Sequence, residues 1–361
     1  MANEVFLMRR AQMQDEAADD ICPKGDCISS ESTSCDDEST CVSGQVDGRV
    51  IAGQEMLMEA TPSKLVLLDR KLAWMVALVP PAAFVGAMIL WLRGYPPRMS
   101  EALLTIGGYI VALTGVEVGF HRHFTHRSFK AKTWVRVILA ICGSFAFEGP
   151  VIWWAATHRR HHKYSDREGD PHSPHLHSPG IFEAFKGAFH AHMGWLFVPQ
   201  STRAPGSSRY VLDLYRDHRI LRIHMSYFYW LAIGIVLPGL INGLVHLSWG
   251  RFWMGILWGG LVRIFLLNHV FFWCINSVTH LFGSRPFNTD DQSRNNVWLA
   301  IPTLGEAWHN NHHAFPTAAY LGFHWWQIDP GGWVISALET LGLAWDVKRA
   351  SPQLIAKKSN A

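Results

Sequence analysis

The chain has 361 residues, 49% of them hydrophobic and only 17% charged, with 17 Trp, 20 Phe and a formal net charge of +3. Soluble globular proteins carry roughly 25% charged residues, so the deficit points to long apolar segments, and Trp at this level suits a protein at a bilayer interface. A mild charge with no basic stripe interleaved with aromatics excludes a nucleic-acid binder.

Residues 1–60 are polar, acidic in patches and rich in Ser and Asp, as in Ser29-Ser30-Glu31-Ser32-Thr33-Ser34. Such a stretch buries too little apolar surface to order itself and is read as a disordered tail. It has no apolar core of the signal-peptide kind. Cys22, Cys27, Cys35 and Cys41 lie within it at gaps that fit neither a zinc finger nor a zinc ribbon. Ser30 stands where a plant-type iron–sulfur spacing requires another Cys, so these are incidental thiols.

Residues 61–361 read as one membrane domain. Four apolar stretches approach the roughly 20 residues needed to span a bilayer: Leu72–Leu92, Leu103–Phe120, Ser226–Val245 and Phe252–Ile275. The first two are joined by Arg93-Gly94-Tyr95-Pro96-Pro97-Arg98 and the last two by Ser248-Trp249-Gly250-Arg251, which makes two hairpins. Polar regions follow each hairpin, at about 121–225 and from 276 onward. Lys64, Arg70 and Lys71 precede the first span, and Arg122, Arg127, Lys130 and Lys132 follow the second, whereas the hairpin loops hold three Arg. The positive-inside bias therefore places both termini and both polar regions in the cytosol. Residues 135–157 are apolar but interrupted by Glu148-Gly149-Pro150, and read as an interfacial or buried segment. Cys142 and Cys274 sit in apolar runs and are expected to be buried. Glu117, Arg263, Asn268 and His269 are costly inside spans and must face protein or a cavity.

Many of the 20 His fall in three tight clusters. His121 and His126 are spaced HxxxxH just after the second span; His158-Arg159-Arg160-His161-His162 and His309-Asn310-Asn311-His312-His313 share the spacing HxxHH. Positions i, i+3 and i+4 share a helix face, so each HxxHH is expected to aim three imidazoles at one point. HxxxxH puts its pair about 140° apart on an ideal helix, which demands a helix distortion or a second metal. His280, just past the fourth span, is a ninth candidate. Zinc normally takes four ligands, so nine imidazoles suit two metals of higher coordination. Imidazole serves iron, copper, nickel and zinc alike; iron is chosen because it pairs with oxygen chemistry at a membrane substrate. Glu117, Asp166, Asp170 and Glu306 are placed to accept the second N–H of a ligating His. The remaining histidines, including His123, His172, His175 and His192, are read as ordinary surface or core residues. No HExxH occurs, which excludes a zinc protease of that type.

The whole pattern resembles the integral-membrane acyl desaturases of the stearoyl-CoA desaturase type and their bacterial relatives. The matching stretches are Gly119-Phe120-His121-Arg122 with His126, Trp154 through His158-Arg159-Arg160-His161-His162-Lys163, Asp170-Pro171-His172, His192-Met193-Gly194-Trp195, Asn276-Ser277 with His280, and Gly305-Glu306 with Trp308 through Pro316. The resemblance implies an all-α fold, four transmembrane helices with a helical cytosolic cap that holds a di-iron site. The nine His would hold the two iron ions, with Asn276 reaching one through water, and Trp154 and Trp273 would line the acyl channel. The product would be a cis double bond near C9 of a saturated acyl-CoA or acyl-lipid, with O2 as oxidant. No cytochrome b5 motif is found, so electrons would come from a separate donor such as ferredoxin or cytochrome b5 with its reductase. The chain departs from the family at His123 for a Leu, at Glu117 for a small or hydroxyl residue, at Ala156 for an Arg, and at Pro199-Gln200 for a basic pair. The last two departures argue against coenzyme-A recognition of the animal kind. Rival readings are a hydroxylase of the same superclass and, further off, a His-rich membrane metal transporter or sensor.

Overall fold

Apolar composition dictates helices here, because a chain inside a bilayer must satisfy every backbone group within itself. The computed structural model describes residues 63–176, 179–204 and 206–359. The expected polar tail and its four Cys lie outside the described residues. The main helices are α1 (Ser63–Leu92), α2 (Met99–Thr125), α3 (Thr133–Ser144), α4 (Val151–Tyr164), α5 (Ile181–His192), α6 (His218–Met225), α7 (Tyr227–His246), α8 (Trp249–Leu281), α9 (His309–Ala314) and α10 (Pro330–Thr340). Among the described residues, the strands are two short ones, β1 (Lys130–Ala131) and β2 (Ala344–Trp345), paired antiparallel.

Asp69–Leu92 within α1, together with α2, α7 and α8, are long and apolar enough to cross a membrane. They form two hairpins in sequence order. Gly94, at φ 89°, and Pro96-Pro97 turn the first; Leu247, at φ 46°, turns the second. The second turn is shorter than expected. Trp249, Gly250 and Arg251 belong to α8, because Ser248 Oγ accepts the Arg251 N–H at 3.4 Å and starts the helix there. At this end Glu101, fully buried in α2, accepts from Asn242 Nδ2 of α7 at 2.7 Å and Arg251 Nη1 of α8 at 3.1 Å. That carboxylate fastens the hairpins together.

The second and fourth spans outrun their apolar windows. The sequence pattern ends them near Phe120 and Ile275, whereas the helices continue to Thr125 and Leu281 and carry His boxes beyond the apolar run. The extension is enclosed by protein, so it needs no apolar side chains: His121 through Thr125 are all buried. Gly115–Thr125, Ile256–Val262 and Leu266–Phe272 are wound as π-helix. Gly115 lets α2 touch α3, since a Cβ there would stand 1.9 Å from Gly143 N.

Pro80, Pro81 and Pro238 lie inside helices and cannot donate to the carbonyls four residues back. The polar residues of α8 make up part of the loss. His269 Nε2–H donates to Val76 O at 2.8 Å, and Arg263 Nη2 donates to Gly234 O at 3.3 Å and Phe145 O at 3.0 Å. Both therefore face protein, as their cost within a span requires.

Residues 135–157 resolve into α3 and α4, broken where Phe147 (φ 64°) and Gly149 (φ 91°) take left-handed conformations before Pro150. Cys142 and Cys274 are half-buried rather than buried. Each lies one turn from an exposed apolar residue, Ile138 and Val270 respectively, on the outer face of its helix. An apolar neighbourhood in a membrane helix does not imply enclosure, because lipid is apolar too.

Candidate metal centre

Four helices bring the histidines together. His121 and His126 come from the end of α2, His158, His161 and His162 from α4, His280 from the end of α8, and His309, His312 and His313 from α9. Their ring nitrogens fall into two groups, each with ligand atoms within 4.8 Å of one another: His121, His126, His158, His162 and His312; and His161, His280, His309 and His313. All nine candidates are used, five against four.

The partition corrects one expectation. Neither HxxHH aims three rings at one point. His158 and His162 join the first group while His161 joins the second; His309 and His313 join the second while His312 joins the first. At about 100° per residue, i and i+4 diverge by about 40°, whereas i+3 and i+4 diverge by about 100°. Each box therefore contributes to both groups. HxxxxH is solved by a helix distortion: π-winding makes His126 N–H donate to His121 O at 3.1 Å, five residues back, and brings the two rings edge to face with centroids 4.7 Å apart.

The donor set fits metal ions. In the first group, Nε2 of His312 stands 3.1 Å from that of His121 and 2.8 Å from that of His162, which is 3.0 Å from that of His158. In the second, Nε2 of His309 is 3.1 Å from those of His280 and His313. Ligands at right angles on a metal with bonds of about 2.1 Å stand about 3.0 Å apart, and at the tetrahedral angle about 3.4 Å. Nitrogens at this spacing could share a bound ion. The buried Nε2 atoms of His126 and His161 have no other partner.

Carboxylates fix the rings. His161 Nδ1–H donates to Asp170 at 2.9 Å, His280 Nδ1–H to Asp166 at 2.8 Å and His313 Nδ1–H to Asp291 at 2.7 Å. His121 Nδ1 approaches Glu306 at 2.9 Å and Glu117 at 3.3 Å. The three hydrogen bonds to Asp170, Asp166 and Asp291 hold the proton on Nδ1 and leave the Nε2 lone pair free. Glu117, Asp166, Asp170 and Glu306 each lie beside a clustered histidine. Asp291 was missed: it lies 22 residues before His313, in a loop with no periodicity to mark it. His172 also departs from its ordinary reading, being buried with its ring 4.4 Å from that of His161 and joining His161 and Asp170 in a third tight group.

Burial, helped by neighbouring imidazoles, pushes His126, His158, His162, His309 and His312 well below the ordinary histidine range. These rings are neutral and ready to ligate. Burial opposes ionisation of Asp170, but the adjacent His161 outweighs it and holds the carboxyl at about 2. Burial and then the Glu117 carboxylate push Glu306 up.

A buried polar frame holds the boxes. Arg122, fully buried, donates to Glu117 Oε1 at 2.6 Å and to Asp329 Oδ1 at 2.8 Å, and Asp329 accepts the Gly332 N–H at the start of α10. Arg159 donates to Phe124 O at 2.6 Å and Thr125 O at 2.9 Å, satisfying carbonyls at the end of α2. Asn310 Oδ1 accepts the Phe287 N–H, and Asn311 Nδ2 donates to Leu321 O at 2.7 Å, so the two Asn of HNNHH are fasteners. His123 likewise bonds Phe129 O and Arg136 rather than joining either group. Trp154 stacks on His158 with centroids 4.9 Å apart and packs near Phe272, the neighbour of Trp273. Trp273 itself is buried against His269 and His192. Asn276 lies one turn before His280 on the same helix face.

Four helices long and apolar enough to cross a membrane, two of them ending in histidines that join two polyhistidine groups compatible with a metal site, describe an integral-membrane protein. Comparison with known proteins names the kind. The sequence model for fatty acid desaturases matches residues 100–343, and the chain belongs to that family. It is 45% identical over 277 residues to the hex-5-enoyl-[acyl-carrier protein] acetylenase of Moorena producens, covering 76% of this chain and 84% of that one. It is 39% identical over 242 residues to an acyl-CoA C20 Delta5-desaturase of Anemone leveillei, covering 66% and 70%. It is 32% identical over 289 residues to the sn-1 stearoyl-lipid 9-desaturase of Synechocystis sp., covering 80% and 84%. The chain is therefore an oxidoreductase acting on fatty-acyl chains.

Proposed function

We propose that the chain introduces a cis double bond near C9 of a saturated acyl-CoA or acyl-lipid, using O2 and electrons from a separate donor, ferredoxin or cytochrome b5 with its reductase. The five-and-four partition of nine clustered imidazoles carries this reading. Two iron ions would be held by His121, His126, His158, His162 and His312 on one side and by His161, His280, His309 and His313 on the other, with Asn276 contributing through water. Iron bound there would supply O2 activation and hydrogen removal from the chain. Two hydrogens leave the acyl chain and, with two electrons and two protons from outside, reduce O2 to two waters.

The residues of the chain have distinct tasks. Asp166, Asp170, Asp291, Glu117 and Glu306 hold imidazole rings in the tautomer that ligates. Trp154, stacked on His158, and Trp273 would wall an acyl channel and keep water out. Lys and Arg flanking α1 and α2 support a cytosolic position for the centre and both termini. The 45% identity to an acetylenase acting on an acyl-carrier-protein thioester favours a second reading, in which the carrier is that protein and the bond attacked is already a double bond.

Fatty-acid methyl-ester analysis of a desaturase-deficient host expressing the chain, beside His312→Ala, tests the proposal. A new monoene absent from the control supports it and gives the bond position. An acetylenic product selects the second reading, and a hydroxy acid overturns both.

A further inference from the structure

Helix α5 has three faces. At about 100° per residue, Ile181, Phe182, Phe185 and Phe189 fall within an arc of about 100°, and they are 71%, 79%, 70% and 58% exposed. The opposite arc holds the buried Gly187 and Ala191, where the helix packs on the Trp273–Leu281 end of α8. Glu183 and Lys186, ion-paired at 2.6 Å, lie between the two arcs.

The level of α5 along the spans is marked by contacts from three residues. His192, its last residue, bonds Ser277 Oγ at 3.1 Å and His269 O at 3.2 Å, both in α8. In the turn that follows, Phe197 packs on Trp74 of α1 with centroids 4.9 Å apart. Arg203 then pairs with Asp69, where the first span begins. Arg70 and Lys71 are exposed at this same end of α1, at the level where lipid phosphates would meet them. A phenylalanine face continuous with the membrane-crossing surface, bordered by basic residues, has the construction of an interfacial helix.

We propose that α5 lies in the plane of the bilayer, with Phe182, Phe185 and Phe189 sunk at the headgroup–acyl boundary on the metal-centre side. Its occupant is phospholipid, and the helix seats the cap that carries the histidines on the membrane.

The test places a photoreactive benzoylphenylalanine singly at positions 182, 185 and 186 of the full chain, with position 240 of α7 as a mid-span reference. Each protein is reconstituted in vesicles of equimolar phosphatidylethanolamine and phosphatidylglycerol, irradiated, and analysed for adducts by mass spectrometry. Phospholipid adducts from 182 and 185 at yields near that of 240, with loss of adduct at 186, are expected. No adduct from 182 and 185 while 240 reacts, or adducts to a second copy of the chain, overturns the proposal. Silence at 240 as well would overturn the span assignment beneath it. The readout needs no turnover and is independent of the substrate.

Discussion

His269 Nε2–H donates to the Val76 carbonyl at 2.8 Å, the carbonyl that Pro80, four residues on, cannot serve. A histidine in the fourth span thus repairs a helix defect in the first. An unsatisfied carbonyl in an apolar surrounding costs about 1–3 kcal/mol. His269→Ala is therefore expected to lower thermal stability in detergent by a comparable amount. Pro80→Ala restores the missing donor and should reduce that loss in the double variant. A double-variant effect equal to the sum of the single ones would show that the two positions are not coupled.

Asp291→Ala tests the carboxylate that the sequence pattern did not reveal. It removes the acceptor of His313 Nδ1–H, held at 2.7 Å. Loss of such a partner typically costs about 10- to 100-fold in metal affinity or activity. The expectation is iron loss to a chelator at a rate raised by that order, with helicity unchanged by circular dichroism. Retention equal to wild type would assign Asp291 to the loop fold alone.

Glu148 is buried, with Oε1 lacking any partner, and burial pushes its carboxyl up to about 8 against an opposing hydrogen bond from Trp273. The folded chain thus keeps a proton that the unfolded chain releases near the ordinary carboxyl value. Stability is full below that value and falls as pH rises toward 8, with a slope of at most about 1.4 kcal/mol per pH unit. Glu148→Gln should remove this slope. Melting temperatures from pH 5 to pH 8 should show the variant gaining on wild type as pH rises; a constant difference would contradict the assignment.

The two members of each HxxHH box that serve different centres should be separable. His158→Ala removes a member of the five-histidine group, and His161→Ala, three residues on, a member of the four-histidine group. Mössbauer spectra of the two iron-loaded variants should each lose or alter a different signal. Identical spectra would mean that the box serves one centre.

Much of this was legible because membrane solvation writes long signals. The four spans follow from apolar runs, and eight of the nine histidines follow from tight local spacing, with His280 marked only by its place just past the fourth span. Glu117 and Glu306 are legible because each lies within four residues of a ligating His. The split of each HxxHH was not legible, because residue spacing gives angles around one helix and not the number of centres it faces. The π-winding that unites His121 and His126 occurs where α2 packs against α3, which no local pattern records. Asp291 reaches His313 through a loop, and His192 reaches Ser277 across 85 positions. The lipid-facing stripe of α5 is too short to stand out beside spans of 20 residues or more.

Iron content of the purified full chain, measured together with its Mössbauer spectrum, bears most directly on the two-centre reading. Two irons per chain in two nitrogen-rich environments are predicted, with His161→Ala and His312→Ala each perturbing a different one. A single iron per chain, or a preparation in which zinc fills the site and iron restores no O2 consumption with any acyl substrate, would contradict it.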